Sequence, residues 1–236
     1  MPNVVFISPK GGAGKTTAAV ALAVGLAERG RRVAMIDSDP NKPLVRWSAL
    51  PNQLSGVTVH PAPTVPDIRD AMREAQRHRP DWFILDTEGT ERGAVVFAAM
   101  RFDLVHTPLA GSQLDLHEAI RAAEMVEAFG RRGGRPLAHR ALLTRVPTAI
   151  KPRMLKSVVA QLRAAGVQIL PTPLLEKEAF RALFQLGGGF DALEMNGVWG
   201  AGPARQNTAS YVNDVVDLVE KIAPPRLHQT TELRLP

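Results

Sequence analysis

Residues 4–17 read Val4-Val5-Phe6-Ile7-Ser8-Pro9-Lys10-Gly11-Gly12-Ala13-Gly14-Lys15-Thr16-Thr17. An apolar run followed by a glycine-rich turn and then Lys-Thr is typical of a strand, a loop and a helix that hold phosphate groups. The ordinary form of this loop is Gly-x-x-x-x-Gly-Lys-Ser/Thr. In this chain Pro9 takes the place of the first glycine, and Lys10 follows it. The stretch therefore predicts a nucleotide phosphate loop with a second lysine in it.

The residue types in this loop match the chemistry of a triphosphate. Glycines let backbone N–H groups approach the phosphates closely, and the positive end of the following helix favours their charge. Lys15 is placed to reach the β- and γ-phosphate oxygens, and the Thr16 hydroxyl to bind Mg²⁺. A glycine- and lysine-rich surface turn is the structural alternative. We predict that the nucleotide contacts Lys10, Gly11, Gly12, Ala13, Gly14, Lys15, Thr16 and Thr17.

Lys10 has a different predicted role, because the loop is tight and Lys15 already brings one ammonium group to its phosphates. We expect Lys10 to face across a dimer interface, towards the nucleotide of a second copy. A cation supplied in trans raises the rate of phosphoryl transfer by roughly 10³ to 10⁵. Hydrolysis would then depend on dimer formation, and Lys10 would be a catalytic residue.

The run Lys10–Thr17 resembles the deviant Walker A motif of the ParA/MinD group of P-loop ATPases. Residues Val33–Pro40 resemble the switch I segment of this group, and Trp82–Thr87 resemble its Walker B strand. The likeness continues in order to residue 222 or so. It implies a doubly wound α/β fold whose mostly parallel sheet is flanked by helices. It also implies Mg²⁺ and ATP rather than GTP, a homodimer that forms on ATP binding, and weak ATP hydrolysis stimulated by a partner.

Two further stretches, Asn41–Trp47 and Glu176–Phe180, resemble the small ParA proteins of plasmid partition and the ParA-like protein that assists T-DNA transfer. The resemblance implies a switch in plasmid or chromosome partition, with a small DNA-binding adaptor of the ParB kind as partner. Conjugative or T-DNA transfer is the alternative. Two other readings are a metabolic enzyme like dethiobiotin synthetase, which needs an acceptor pocket, and cargo positioning at a membrane in the manner of MinD.

The composition limits the other possibilities. With 236 residues, of which 45% are hydrophobic, the chain suits one α/β domain, expected over 1–223 with a flexible tail at 224–236. The absence of cysteine excludes disulfides, zinc-thiolate sites and cysteine-ligated clusters. The sequence shows no signal peptide and no long apolar run. We therefore expect a cytoplasmic protein, and since Pro224 and Pro225 follow the last predicted helix, no membrane docking.

Positive charge is concentrated in one stretch of the chain. The net charge is +6, and residues 131–166 contain nine Lys and Arg but no Asp or Glu. Such a face neutralises DNA phosphates without reading bases. Arg153, Lys156 and Arg163 are spaced by three and seven residues, which places them on one side of a helix. We predict that they bind DNA non-specifically and associate the protein with the nucleoid; a solvated helix face is the alternative.

Alternating apolar runs and helical patterns predict the parallel sheet directly. The expected strands are 3–8, 32–37, 57–60, 82–86, 103–107, 139–145 and 167–170. The expected helices are 17–29, 65–79, 114–130, 150–165 and 211–223. Glycines near 187–189 and 197–202 predict an irregular surface segment over 187–206.

Three aspartates lie at or just after the ends of two expected strands, at the edge where the ligands of such a sheet collect. We expect the Asp86 carboxylate to hold a water on Mg²⁺, although an aspartate that caps the next helix would use the same geometry. Asp37 is expected in the second shell of this metal. Asp39 is expected to position or deprotonate the attacking water, a role that the resemblance also implies. A turn before Pro40 is the structural alternative for Asp39.

Adenine recognition is expected after the late strands of the sheet. The candidates are Thr144-Arg145 and Pro171-Thr172-Pro173, and among them we name Arg145 and Pro173 as nucleotide contacts. The sequence contains no Asn-Lys-x-Asp motif of the kind that reads guanine.

Overall fold

A computed structural model of the chain describes residues 1–8, 11–88, 102–134, 136–148 and 153–222. Lys10, the predicted tail 224–236 and the side chain of Arg153 lie outside what it describes. The strands are β1 Asn3–Phe6, β2 Val33–Ser38, β3 Val57–Pro61, β4 Trp82–Thr87, β5 Leu104–Leu109 and β6 Ala138–Leu143. The helices are α1 Lys15–Ala27, α2 Pro43–Ser48, α3 Val65–Gln76, α4 Gln113–Arg132, α5 Arg153–Ala164, α6 Glu178–Leu186, α7 Phe190–Met195 and α8 Ala201–Ile222. None of these helices is both long and apolar enough to cross a membrane.

The six strands form one sheet in the order β3-β2-β4-β1-β5-β6, and every pair is parallel. Strands that are covered on both faces read as continuous apolar runs, which is why the sequence predicts most of them. Val4 and Phe6 of β1 pack against the helices α1 and α8 on one face. Val5 packs on the opposite face, where α3 and α4 lie. The sheet is therefore doubly wound, as predicted.

Helix α1 lies inside the protein rather than on its surface. Residues 18–26 of this helix are all buried. A Cβ on Gly25 would lie 2.7 Å from a methyl carbon of Val212 and 2.9 Å from one of Thr208, so the glycine lets α8 approach α1 closely. The helix that begins at the phosphate loop is thus held between the sheet and α8.

Two predictions about the last third of the chain are wrong. Residues 187–206 are not irregular, because α7 buries Phe190 and Leu193 and α8 already begins at Ala201. Gly187 is a packing glycine there, since a Cβ on it would lie 2.7 Å from the carbonyl oxygen of Asn52. The expected strand at 167–170 is reduced to a single bridge between Ala141 and Ile169.

Candidate nucleotide-binding site

The phosphate loop joins β1 to α1, and its shape depends on left-handed glycines. Gly12 and Gly14 have φ values of +79° and +89°. Thr144 supports the loop from the end of β6, because its hydroxyl donates a 2.9 Å hydrogen bond to the Ala13 carbonyl oxygen. Gly14 is the N-cap of α1 and has no side chain with which to cap it. The first amides of α1 are therefore suited to an anion.

Three side chains from two separate segments meet behind this loop. The Thr16 hydroxyl donates a 2.6 Å hydrogen bond to Oδ2 of Asp86, which lies near the end of β4. Lys15 and Asp86 are both buried, at 8% and 0% exposure. The parallel pairing of β1 with β4 sets Phe6 opposite Asp86, and this register brings the carboxylate to the phosphate loop. The structure thus places Lys15, Thr16 and Asp86 together, as the sequence predicts.

Burial dominates the electrostatics of these groups. It lowers the pKa of Lys15, while the charges of Asp86, Asp39 and Glu88 act against this shift. Burial raises the pKa of Asp86 to about 7, against the hydrogen bond from Thr16 and the charge of Lys15. The protein alone therefore stabilises the charged forms of Lys15 and Asp86 poorly. A bound polyphosphate with its cation would supply the missing partners.

The residues at this point fit Mg²⁺. Oδ1 of Asp86 is buried and has no hydrogen-bond partner among the residues that the structure describes. A buried carboxylate oxygen without a partner is costly, and a water held by a cation would satisfy it. The donor set consists of the Thr16 hydroxyl and the Asp86 carboxylate. Mg²⁺ prefers such oxygen ligands and takes its remaining positions from phosphate and water.

The Asp37 carboxylate accepts hydrogen bonds from backbone amides at the start of α2. Oδ2 accepts hydrogen bonds from the amides of Leu44 at 2.8 Å and Val45 at 3.0 Å, and Oδ1 accepts one from the Asp39 amide at 3.2 Å. Burial raises the pKa of Asp37, and these amides oppose the shift. Asp37 pairs with Asp86 in the register of β2 and β4, so the two residues are neighbours at the sheet edge. It is thus the positioning residue of α2, and its second-shell metal role stays a prediction.

Asp39 forms a turn between β2 and α2. Its Oδ1 accepts hydrogen bonds from the backbone amide of Asn41 at 2.8 Å and from the side-chain amide of Asn41 at 3.0 Å. The Asp39 carbonyl oxygen also accepts a bond from the Lys42 amide. The structural alternative for Asp39 is therefore realised in this structure, and its catalytic role stays a prediction.

A cavity of about 320 Å³ opens beside the phosphate loop, where a base and ribose would follow the phosphates. Gly14, Thr17 and Arg145 line one side of it, and residues 174–177 with Phe180 line the other. Arg145 therefore lies beside the phosphate loop, and its contact with adenine stays a prediction. Pro173 lines a different cavity, and its carbonyl oxygen accepts a hydrogen bond from Asn207, so its contact with the nucleotide also stays a prediction.

Sequence reasoning missed the residues that close this cavity. Glu176, Lys177 and Arg181 line it from the start of α6, and Arg181 forms ion pairs with Glu176 and Glu178. The stretch Glu176–Phe180 carried a signal, but only as a family resemblance. No local feature of that stretch says that it turns back to the phosphate loop.

Among the described residues of the basic stretch 131–166, two of the cations are engaged within the protein. Arg131 is engaged by Glu127, and Arg140 is half-buried and donates a 2.7 Å hydrogen bond to the His139 carbonyl oxygen. Lys156 and Arg163 are exposed on α5. These two are the members of the predicted DNA-binding set whose side chains the structure describes.

Residues 1–222 match the VirC1 protein family. The chain belongs to this family. It is a ParA/MinD-type P-loop protein, and the predicted resemblance is confirmed. Protein ParA of Rhizobium radiobacter is 33% identical over 196 residues, which cover 82% of this chain and 87% of that protein. Protein virC1 of Rhizobium radiobacter is 31% identical over 195 residues, covering 79% of this chain and 82% of that protein.

Solved structures agree on the fold. Apo McdA of Cyanothece superposes with a TM-score of 0.72 at 18% identity, covering 91% of this chain and 99% of that one. The MinD cell division protein of Aquifex aeolicus has a TM-score of 0.66 at 17% identity, covering 92% and 98%. These likenesses confirm the predicted fold class for the VirC1 family member described above.

Proposed function

We propose that this VirC1-family protein is an ATP-driven switch in plasmid or chromosome partition. ATP binding closes a homodimer, the dimer holds DNA non-specifically, and hydrolysis releases it. The observation that carries the proposal is the meeting of Lys15, Thr16 and Asp86 behind a glycine-shaped loop. This arrangement suits a nucleotide whose phosphates are held with Mg²⁺, which supplies charge neutralisation when bound.

Each residue of the site then has a task. Lys15 binds the β- and γ-phosphate oxygens, and Thr16 with Asp86 holds the cation and its water. Asp39 orients or deprotonates the attacking water, and its turn with Asn41 keeps the carboxylate near the loop. Asp37 keeps α2 in place beside them. Lys10, which lies outside the described residues, is proposed to act on the nucleotide of the second copy.

Non-specific DNA binding is assigned to Arg153, Lys156 and Arg163. The exposure of Lys156 and Arg163 on one helix supports this, as does the lack of any acidic residue in 131–166. Exposed cations without acidic neighbours bind phosphates in a salt-dependent way. A small DNA-binding adaptor would stimulate hydrolysis and so end the DNA-bound state.

Conjugative or T-DNA transfer is the second candidate function. It is supported by the match to the VirC1 family over residues 1–222, whereas the 33% identity to protein ParA supports partition. Both functions would use the same switch. Plasmid retention and transfer frequency, measured in cells that carry Lys15→Ala in place of the parent protein, distinguish them, because the variant should lower only the one that the protein serves.

The switch itself is tested by light scattering after size-exclusion chromatography, together with ATP hydrolysis. The parent protein should be dimeric with ATP and Mg²⁺ and monomeric with ADP. Lys10→Ala should bind ATP, stay monomeric and lose hydrolysis by on the order of 10³ or more. Lys42→Ala is the control, since Lys42 is an exposed cation near the site. A Lys10→Ala protein that dimerises and hydrolyses ATP like the parent contradicts the proposal.

DNA binding is tested with the double variant Lys156→Gln, Arg163→Gln on duplexes of unrelated sequence. Its affinity should fall equally for all duplexes, and the slope of log affinity against log salt should decrease by about 2. The control is Arg73→Gln, Arg77→Gln, which removes two exposed cations of α3 that pair with Asp70 and Glu74. Equal losses in both double variants would show that only net charge matters.

A further inference from the structure

A second cavity, of about 460 Å³, lies between α5 and the chain segment 169–173. Its floor consists of the buried side chains of Leu143, Val146, Leu155 and Leu170. Pro171 and Pro173 also line it. The volume lies in the range of about 300–1,000 Å³ that is typical of ligand pockets. We call this cavity the α5 groove.

Two cations stand on the rim of the α5 groove. Lys156 and Arg163 line it and are exposed, with Val159 and Ala160 between them on the same side of α5. Seven residues of helix separate the two cations by about 10 Å along the axis. No ion pair in the described part of the chain involves either of them, and 131–166 contains no Asp or Glu. The groove thus combines an apolar floor with positive charge that the protein leaves uncompensated.

This combination fits a protein segment better than a nucleic acid. Phosphates of duplex DNA would bind the two cations but would leave the apolar cavity between them unfilled. Single-stranded bases stack on aromatic rings, and every apolar residue that lines the α5 groove is aliphatic or proline. Leucine, isoleucine or valine side chains would bury apolar surface on the floor, while carboxylates beside them would meet Lys156 and Arg163.

We propose that the α5 groove docks an acidic segment with aliphatic side chains, carried by the partner protein of the switch. This inference rests on the proposed function, which supplies the need for a partner. The segment and DNA use the same two cations, so binding of one opposes binding of the other. A partner that docks here would displace DNA from Lys156 and Arg163 directly.

The test uses a fluorescein-labelled synthetic peptide of aspartate, glutamate, leucine and isoleucine, and a matched peptide with lysine at every acidic position. Ala160→Phe fills the α5 groove without removing a cation. Ala164→Phe is the matched control, because Ala164 is exposed on the same helix but does not line the groove. Ala160→Leu is a milder second variant. Fluorescence anisotropy measures peptide and duplex DNA affinity for all of them.

The acidic peptide should bind the parent protein, and unlabelled duplex should displace it. Ala160→Phe should lower the affinity for the acidic peptide by about tenfold or more and change the affinity for DNA by less than about twofold. Ala160→Leu should lower the peptide affinity by an intermediate amount. Ala164→Phe should change neither. The inference is overturned if the lysine peptide binds as well as the acidic one, or if Ala160→Phe leaves the peptide unaffected. It is also overturned if Ala160→Phe lowers the affinity for DNA as much as the affinity for the peptide. A parent protein that binds no duplex DNA would instead count against the proposed function.

Discussion

The Thr16 hydroxyl donates a 2.6 Å hydrogen bond to Oδ2 of Asp86, although 70 residues separate them in the chain. The bond joins the first turn of α1 to the end of β4. It is also the only hydrogen bond that the described residues give to the carboxylate of Asp86. The phosphate loop and β4, the strand that resembles Walker B, are therefore tied to each other by the protein itself.

Thr16→Val should destabilise the nucleotide-free protein and abolish Mg²⁺-dependent ATP hydrolysis. A hydrogen bond to a charged group contributes about 1.5–3 kcal/mol, and its loss leaves Asp86 buried without a donor. Thr16→Ser keeps the hydroxyl and should stay near the parent in both respects. Urea unfolding and phosphate release measure the two effects. If Thr16→Val had the same free energy of unfolding as the parent, the hydrogen bond to Asp86 would not contribute to stability.

Gly14→Ala should disrupt the phosphate loop in a way that another left-handed glycine does not. Gly14 has φ +89°, and a Cβ on it would lie 3.3 Å from Thr144. Gly30 has φ +71° and open space around its Cβ position. Both alanine variants should lose about 1–2 kcal/mol of stability from the backbone strain. In Gly14→Ala alone, the affinity for a fluorescent ATP analogue should fall about tenfold or more.

Asp37→Ala should release α2 from the sheet edge. It removes the acceptor for the amides of Leu44 and Val45, and each unpaired buried amide costs about 1–3 kcal/mol. Hydrogen exchange of residues 43–48 should become much faster, while the rest of the sheet keeps its protection. Asp67→Ala is the control, since Asp67 caps α3 instead and should loosen only that helix. Unchanged exchange at Leu44 and Val45 would refute the role given to Asp37.

His106 should make the protein sensitive to acid. It is buried on β5 beside the rings of Phe6 and Tyr211, and burial lowers its pKa from 6.5 to about 3, with help from the charge of His139. Between pH 6.5 and pH 3, His106 is protonated in the unfolded chain but neutral in the folded protein. The stability due to neutral His106 is therefore complete above pH 6.5 and is lost as the pH falls towards 3.

The prediction is measured as the difference in stability between the parent and His106→Leu at several pH values. Between pH 7 and pH 5, this difference should shift in favour of the variant by about 2 kcal/mol. Asp86, His139 and Arg140 titrate or carry charge nearby in both proteins, so their own contributions largely cancel. A difference that stays constant with pH would show that His106 does not titrate on unfolding.

The sequence was sufficient for the phosphate loop and for most of the sheet because their signals are local. Val4–Ile7 and Trp82–Leu85 are buried on both faces and therefore read as plain apolar runs. Asp86 follows such a run, and the parallel order alone carries it to the loop. Lys15, Thr16 and Asp86 could thus be brought together before their positions were known.

Other features depend on residues far away in the chain, and there the sequence failed. Gly187 does end α6, but the sequence does not show that it also packs against the Asn52 carbonyl oxygen or that another helix follows it. Helix α2 has no side-chain cap from its own N-cap residue, and Asp37, seven residues before Leu44, accepts the hydrogen bond instead. The chain around Pro173 is held by Asn207 of α8, which donates a hydrogen bond to the Pro173 carbonyl oxygen from 34 residues away. In each case a tertiary contact decides the local structure.

Because α1 is enclosed between the sheet and α8, the two proposed anion sites, the phosphate loop and the pair Lys156 and Arg163, should respond differently to ionic strength. Mobile ions cannot surround the buried helix, so its pull on phosphate should persist in concentrated salt. Lys156 and Arg163 stand in open solvent, where about 0.15 M salt already screens charges beyond 8 Å or so. Raising the salt concentration should therefore strip the protein from DNA while it still carries its nucleotide, and the two binding events can be studied one at a time.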